Sequence, residues 1–319
     1  MIRVVCPSCR CANDERRRWM LPDRLWHPDE RFSLVTCGQC GFLFLNPRPV
    51  GQEMDRHYPD LYYAAALPDA IPAPFLWRLL QIEKYRRHGR LLDVGCGNGI
   101  FLHFARLRGW DAYGVDNSGS AVERARRLLG ERVALGALPE ARYAAASFDV
   151  ITLFEVLEHV PGPREYLDEV HRILMRGGWL CLSVPNFDSL ERVVFGRWWN
   201  GLDAPRHLQQ FTRQSLRRLL EHSGFQIAEL SSVNADRIQL GKTRISYAQD
   251  SLRFFLSDLR LYPPRARSSA QTISTPIPPI DRGWRRSLHR LEWLVFGPLC
   301  FAARWSDREN SLWAVGRKA

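Results

Sequence analysis

The chain has 319 residues, 45% hydrophobic content and a formal net charge of +11. This length exceeds one small domain, and this hydrophobic fraction suffices for a packed core, which excludes a globally disordered chain. Of the 45 basic residues, 42 are arginines. Because arginine binds phosphate and carboxylate groups well, the charge favours an anionic partner such as a nucleic acid. An arginine-rich codon usage is the equal alternative.

The amino terminus lacks the apolar core of a signal peptide. The longest uncharged apolar run near the carboxyl terminus, Trp293–Ala303, has eleven residues. A helix needs about 20 residues to cross a bilayer, so this run is too short. We therefore expect a cytoplasmic protein, whose cysteines are metal ligands or free thiols rather than disulfides.

Two C-x-x-C pairs, Cys6–Cys9 and Cys37–Cys40, are separated by 27 residues. Each pair lets two thiolates converge on one ion, and four such thiolates are typical of structural zinc. A redox pair with unrelated cysteines is the alternative, and Cys11 is a candidate to replace Cys9. The long gap between the pairs predicts a hairpin. Residues 1–50 are therefore a predicted zinc-binding module.

Residues 51–88 are predicted to form a linker and then a helix from Phe75 to about Arg87, and they precede the segment with the most informative motif. There, a strand over Arg90–Val94 runs into the glycine turn 95–99 and a helix that starts at Ile100. This order is typical of the nucleotide end of a doubly wound α/β sheet. It is not the dinucleotide fingerprint, because Ile100 stands where a third glycine is required. Asp93 suits a cation, and Asp116, after the next strand, can accept hydrogen bonds from both ribose hydroxyls.

At these residues the chain resembles the class I S-adenosylmethionine-dependent methyltransferases. Four segments carry the resemblance: LLDVGCGNGIF (Leu91–Phe101), YGVDNS (Tyr113–Ser118), FDVITLFEVLEHV (Phe148–Val160) and LMRGGWLCLSVPN (Leu174–Asn186). The resemblance implies S-adenosylmethionine as cofactor. The residues that it assigns to the cofactor site are Asp93, Gly95, Cys96, Gly97, Asp116, Asn117, Phe154 and Glu155. Ala137 stands where many members have an acid that accepts the adenine amino group, so the adenine must be recognised differently.

The same resemblance implies an α/β fold with a seven-stranded, doubly wound, Rossmann-like sheet whose last strand is antiparallel beside the sixth. The methyltransferase core is then residues 89–234, completed by a last strand within 306–319. Residues 235–305 form an insertion or lid that faces the acceptor or a membrane.

Two histidines are candidate acceptor-side bases, because methyl transfer to an O–H or N–H group requires loss of a proton. His207 lies in a loop with two tryptophans and Asp203, although a structural cap is the equal alternative. His159 ends the run Glu155–His159. This run resembles the quinone-biosynthesis O-methyltransferases, in which it is tied to a divalent metal; that would make Glu155, Glu158 and His159 ligands. The favoured alternative is that Glu158 and His159 only shape a turn.

The insertion carries much of the charge. Residues 250–319 contain twelve basic and six acidic residues. The sequence predicts a helix over Asp250–Leu261, then a proline-rich loop over Tyr262–Pro279. Tryptophan, arginine and leucine follow at helical spacing, which predicts peripheral membrane contact through about 284–304, at the inner membrane face, or a lid. A helix packed on the catalytic domain is at least as good an interpretation.

Three functions remain open. The leading hypothesis is methyl transfer from S-adenosylmethionine to a small-molecule acceptor (a sugar, quinone or lipid-like intermediate), since the module and domain also resemble sugar C-methyltransferases. The second is a zinc-module methyltransferase of ribosomal or transfer RNA, which fits the charge. Against it, the segment Phe154–His159 lacks the Asn/Asp-Pro-Pro-aromatic run that clamps a base. The third, a non-catalytic adaptor, is disfavoured by Asp93 and Asp116.

Overall fold

The computed structural model describes residues 1–12, 15–58, 67–239, 246–259, 294 and 296–319, which form two β-sheets, eight α-helices and a further helical stretch over 296–305. The strands are β1 (Glu15–Pro22), β2 (Arg31–Cys37), β3 (Leu43–Leu45), β4 (Arg90–Val94), β5 (Asp111–Asp116), β6 (Val133–Leu135), β7 (Phe148–Phe154), β8 (Leu174–Pro185), β9 (Gln209–Gln210), β10 (Phe225–Val233) and β11 (Ser311–Lys318). The helices are α1 (Gln52–Asp55), α2 (Ala73–Glu83), α3 (Ile100–Leu107), α4 (Gly119–Leu129), α5 (Pro163–Ile173), α6 (Leu190–Phe195), α7 (Arg213–His222) and α8 (Ser246–Asp258).

The larger sheet has seven strands in the order β10-β11-β8-β7-β4-β5-β6. Strands β8, β7, β4, β5 and β6 are parallel, whereas β11 is antiparallel to both β8 and β10. The central strands are apolar on both faces because helices cover both sides of a parallel sheet. Helices α5 and α7 pack on one face, and α2, α3 and α4 pack on the other. The predicted seven-stranded Rossmann-like sheet is therefore confirmed.

The smaller sheet has the order β1-β2-β3-β9. Strands β1 and β2 pair antiparallel and form a hairpin between the two cysteine pairs. The fourth strand, β9, comes from the segment that follows β8, far along the chain. A separate core beneath this sheet contains Leu34 and Leu45 from the amino-terminal strands and Phe187 and Trp199 from that later segment. The module is thus joined to the domain of the large sheet by backbone pairing and by a shared core.

Two predicted helices have different bounds in the structure. Helix α2 begins two residues before the predicted Phe75, because prolines fit the first turn of a helix, where no N–H is needed for an internal hydrogen bond. It ends at Glu83, before the predicted Arg87. Helix α8 covers Ser246–Asp258 rather than Asp250–Leu261.

The predicted proline-rich loop and most of the predicted surface helix after it lie outside the described residues. Residues 296–305 are helical. Within the described part of the chain, no helix is long and apolar enough to cross a membrane.

Candidate active site

The glycine turn between β4 and α3 lies at the carboxyl edge of the large sheet. Gly95 and Gly97 have φ values of +71° and +55°, in the left-handed region that favours glycine. A Cβ atom on Gly95 would lie 2.5 Å from Cγ2 of Val156, so this position also lacks room for a side chain. The turn therefore brings bare backbone to the edge where β4, β5 and β7 end.

Asp116 ends β5 and fixes this turn. One carboxylate oxygen accepts a hydrogen bond from the Gly97 N–H, and the other accepts one from the Ser118 N–H, both at 2.8 Å. Burial raises the pKa of Asp116, while these two N–H groups oppose the shift. A carboxylate has about four acceptor positions, so both oxygens can accept further hydrogen bonds. The neighbouring Asn117 is exposed.

Asp93 lies on β4, next to the turn. Its side chain is buried and accepts a hydrogen bond of 2.6 Å from the hydroxyl of Thr152 on the adjacent strand. Burial raises the pKa of Asp93 to about 7, although the Thr152 hydroxyl and the Arg78 guanidinium favour the charged form. A buried carboxylate of this kind gains from a cationic neighbour.

Arg78, on helix α2, is a site residue that sequence reasoning missed. Its guanidinium is buried, lies 4.4 Å from the ring centroid of Phe154 and donates a hydrogen bond to the carbonyl of Ile238. Burial lowers its pKa to about 10, while Asp93 and Glu155 favour its charge. A signal was present in the sequence, because Arg78 falls on the apolar face of its helix, where a charged residue requires a partner.

Phe154 and Glu155, at the end of β7, lie at the same edge of the sheet as the glycine turn. Phe154 stacks on Trp313, with ring centroids 5.7 Å apart and an interplanar angle of 13°. Glu155 has a φ of +58°, and one of its oxygens accepts a hydrogen bond of 2.7 Å from the Gln239 side chain. Cys96 is buried; a Cβ atom on Gly114 would lie 2.7 Å from its sulfur.

The segment after β6 has an acid, although not at the position expected. The Ala137 N–H donates a hydrogen bond of 2.9 Å to the carboxylate of Glu140. The acidic group near this end of the site therefore comes from three residues further along the chain.

His159, in the turn after β7, and His207, just before β9, form a second cluster. Their rings meet edge to face, with centroids 4.8 Å apart. Nδ1 of His159 lies 2.9 Å from both the Arg206 carbonyl and the Tyr58 hydroxyl, and Nδ1 of His207 lies 2.8 Å from the Gly201 carbonyl. A carbonyl only accepts, so each Nδ1 carries the proton and each Nε2 carries the lone pair. Burial lowers the pKa of His159 to about 3 and also lowers that of His207, so both rings are neutral at pH 7.

Glu158 completes this cluster. It is buried, and neither of its carboxylate oxygens has a hydrogen-bond partner among the described residues. One oxygen lies 3.9 Å from Nε2 of His159. Burial raises the pKa of Glu158 well above its usual range, and the charges of Glu155 and Asp203 add to the shift. The possible ligand atoms of Glu158, His159 and His207 all lie within 4.8 Å of one another. Glu155 is not a member of this group.

The four cysteines of the two C-x-x-C pairs also converge. The sulfurs of Cys6 and Cys40 lie 3.6 Å apart, and those of Cys9 and Cys37 lie 3.7 Å apart. All four sulfurs lie within 4.8 Å of one another. Tetrahedral Zn–S bonds of about 2.3 Å place neighbouring sulfurs about 3.8 Å apart, so the thiols fit a zinc ion. Cys11 lies outside this group and contacts Gln39.

Comparison with known proteins identifies the family to which the domain of the large sheet belongs. Residues 63–230, more than half of the chain, match the family model described as a methyltransferase domain. The chain belongs to this methyltransferase family. The prediction from the four motifs is thereby confirmed: the protein is a class I S-adenosylmethionine-dependent methyltransferase.

The curated relatives that the chain matches include O-methyltransferases. The ubiquinone biosynthesis O-methyltransferase of Thiobacillus denitrificans is 31% identical over 156 residues, which are 45% of this chain and 67% of the relative. The enzyme of the same description from Paraburkholderia phymatum is 35% identical over 105 residues, 30% of this chain and 44% of the relative. The chain thus spans two thirds of the first relative and less than half of the second.

Among solved structures, the [4+2]-cyclase SpnF has a TM-score of 0.51 and 20% identity, over 85% of this chain and 98% of that chain. This similarity shows the fold alone, since one fold supports different chemistries.

Proposed function

We propose that the methyltransferase transfers the methyl group of S-adenosylmethionine to a hydroxyl group of a small molecule, with His207 as the general base. The observation that carries the proposal is the pair of neutral imidazoles, His159 and His207, beyond the strand that ends at Phe154. A hydroxyl acceptor must lose its proton, and a neutral imidazole with a free Nε2 can take it. The O-methyltransferase relatives support the same acceptor chemistry.

The other half of the site supports cofactor binding. Asp93 and Arg78 offer a carboxylate and a guanidinium at one place, which suits the ammonium and carboxylate groups of the methionine part. Asp116 keeps acceptor positions for the two ribose hydroxyls. The Arg78 guanidinium lies 4.4 Å from the ring centroid of Phe154, which ends β7, and Glu158 follows in the next turn, so the two halves of the site are neighbours.

The reaction is an in-line displacement. The acceptor oxygen forms a bond to the methyl carbon while the carbon–sulfur bond breaks and its electron pair returns to sulfur, which becomes a neutral thioether. The acceptor proton passes to Nε2 of His207, whose Nδ1–H remains bonded to the Gly201 carbonyl. The enzyme contributes by positioning the acceptor and removing this proton.

The resemblance to quinone-biosynthesis enzymes also implies a divalent cation. The donor set fits one, because ligating histidines commonly donate their second N–H to a backbone carbonyl, as His159 and His207 do. Glu158, His159 and His207 would then hold the cation, rather than the predicted set with Glu155, which contacts Gln239. In that state Nε2 of His207 would be a ligand and not the base, and the acceptor hydroxyl would be activated by the cation in its place. When bound, such a cation lowers the pKa of a hydroxyl that coordinates it.

We also propose that Cys6, Cys9, Cys37 and Cys40 bind one structural zinc ion. The convergence of four sulfurs at distances close to those of tetrahedral zinc supports this assignment. The predicted contact of about 284–304 with a membrane surface stays a prediction; in its described part, Phe301 is exposed, as is Trp305 just beyond it.

The test combines binding with product analysis. Purified protein should bind S-adenosylmethionine in a calorimeter. With methyl-labelled cofactor, it should label the small-molecule fraction of an extract of the source organism and leave the RNA fraction unlabelled. Label in RNA would favour the RNA methyltransferase hypothesis and contradict the proposal. Absence of cofactor binding would contradict the enzymatic role itself.

A further inference from the structure

A buried arginine joins the amino-terminal module to the acceptor half of the site. Arg206 is 1% exposed, and its guanidinium lies between two carboxylates. It donates to both oxygens of Asp203, at 2.6 and 3.0 Å, and to one oxygen of Asp23 at 3.2 and 3.3 Å. Asp203 precedes it in the same loop, whereas Asp23 follows strand β1 of the module. These ion pairs therefore join the loop that contains Asp203 and Arg206 to the module.

The module holds the Asp23 carboxylate in one orientation. Asp23 has no exposed surface, and one of its oxygens accepts hydrogen bonds from the Leu25 and Trp26 N–H groups. The other oxygen lies 2.7 Å from Nδ1 of His57, which is equally buried. A buried carboxylate with this many donors has one orientation, so it fixes the position of the guanidinium that it binds.

Arg206 transmits this position to both histidines. Its carbonyl accepts the Nδ1–H of His159 at 2.9 Å, and the Tyr58 hydroxyl lies at the same distance from this Nδ1, so both groups set the ring orientation while the carbonyl sets the tautomer. The N–H of the next residue, His207, donates to the Asp203 carbonyl at 3.0 Å. The side chain of Arg206 is thus fixed by the module while its backbone orients the proposed acceptor-side imidazoles.

Strand β9 provides a second connection between the module and this site. It pairs with β3 as the last strand of the module sheet. The side-chain amide of Gln209 donates to the carbonyls of Leu157 and Val160, each at 2.7 Å, and the Leu208 N–H donates to the Glu158 carbonyl at 2.8 Å. The turn that carries Glu158 and His159 is therefore bonded directly to a strand of the module sheet.

We propose that the amino-terminal module is a positioning element of the acceptor site, in which Asp23 acts through Arg206 on His159 and His207. The role assigned to the two histidines rests on the proposed function, whereas their fixation by the module does not. Disturbing the module then lowers methyl transfer and leaves S-adenosylmethionine binding intact, because no module residue contacts the glycine turn, Asp93 or Asp116 through a hydrogen bond found in the described residues.

The test is Asp23→Asn, which preserves shape and removes the charge that binds Arg206. The readout is the ¹⁵N–¹H spectrum of histidine-labelled protein, with the His159 and His207 signals assigned from His159→Gln and His207→Gln. We expect the Nδ1–H signal of His159 to exchange with solvent about tenfold faster or to disappear, while signals of distant histidines such as His88 and His103 stay unchanged. Asp29→Asn, an exposed substitution in the same hairpin, is the matched control.

S-adenosylmethionine affinity, measured on the same samples, reports whether the catalytic domain is intact. Should Asp23→Asn fail to fold, the pair His57→Leu and His57→Asn decides: the first removes the hydrogen bond to Asp23, whereas the amide of the second restores it. Loss of the His159 signal in His57→Leu with recovery in His57→Asn supports the proposal.

Unchanged His159 and His207 signals in a folded, cofactor-binding Asp23→Asn or His57→Leu protein would overturn the proposal. None of these spectra requires methyl transfer. A failure of the proposed O-methylation is therefore distinguishable from a failure of this positioning role.

Discussion

The cofactor half and the acceptor half of the site are built in different ways. In the cofactor half, the Asp93–Thr152 and Gly97–Asp116 hydrogen bonds join neighbouring strands and loops of one sheet edge. In the acceptor half, the Asp23–Arg206 contacts join residues 183 positions apart, and two different sheets meet there. The first half is intrinsic to the large sheet. The second depends on the module that is attached to it.

This difference means that the two halves respond separately to substitution. A change in the acceptor half should lower the rate of methyl transfer at unchanged cofactor affinity. A change in the cofactor half should lower the affinity first. His207→Gln and Cys37→Ser are measured for both quantities, and the Asp116 and Asp93 variants are measured for cofactor affinity.

The largest effect is expected for His207→Gln. Loss of the base should lower the initial rate of label transfer into the small-molecule fraction by about a hundredfold or more, the usual contribution of general base catalysis. The dissociation constant of S-adenosylmethionine should stay within about twofold, a negligible energy on the scale of binding. His222→Gln, on the exposed side of α7, is the control. An unchanged transfer rate in His207→Gln would remove this residue from the mechanism.

Asp116→Ala should act on the other half. It removes the carboxylate that orders the glycine turn and that we propose accepts the ribose hydroxyls, each contact being worth about 1.5–3 kcal/mol. Calorimetry should show cofactor affinity weakened by about a hundredfold. Asp111→Asn, at the opposite end of the same strand, should bind normally. Wild-type affinity in Asp116→Ala would contradict the location of the ribose site.

Sequence reasoning succeeded where contacts are local. The strand, glycine turn and helix around Asp93, and the strand that ends at Asp116, lie within short motifs, and the family resemblance of these motifs implies the seven-stranded sheet that the structure shows. The cofactor roles of the two acids stay proposals. The two cysteine pairs can likewise be recognised from their C-x-x-C spacing alone. Each of these features can be recognised without knowing what packs beside it.

Other site residues could not be predicted because their meaning depends on tertiary packing. Arg78 acquires its role only when α2 packs beside β4. Asp23 and His57 have no motif and become meaningful only when the module docks on the loop of Arg206. Glu155 and Glu158 share one motif, yet the turn sends the first toward Gln239 and the second toward the histidines.

Cys37→Ser tests the dependence of the acceptor half on the module. We expect the variant to lose about one zinc ion per chain and transfer methyl groups about tenfold more slowly, because the module sheet holds both the β9 strand and Asp23. Cofactor affinity should be preserved. Cys11→Ser, outside the four-sulfur group, should keep its metal. Zinc content equal to that of the wild type in Cys37→Ser would reject the assignment of this cysteine as a ligand.

The smallest effect is a pH dependence of cofactor binding. Burial holds the pKa of Asp93 near 7, so this group is protonated at pH 6 and unable to pair with an ammonium. Binding should strengthen as pH rises through 7, by roughly five- to tenfold between pH 6 and 7.5. Asp93→Asn should bind weakly at both values and lose this dependence. A flat profile in the wild-type protein would contradict the pairing of Asp93 with the cofactor cation.

The chemical position of the transferred methyl group tests the central claim most directly. Protein incubated with ¹³C-methyl S-adenosylmethionine and the small-molecule extract yields a product whose carbon spectrum distinguishes methyl groups on oxygen, nitrogen and carbon. We predict a methoxy signal that depends on His207. A methyl group on nitrogen or carbon, or label recovered only in RNA, would contradict the assignment of this enzyme as a hydroxyl methyltransferase.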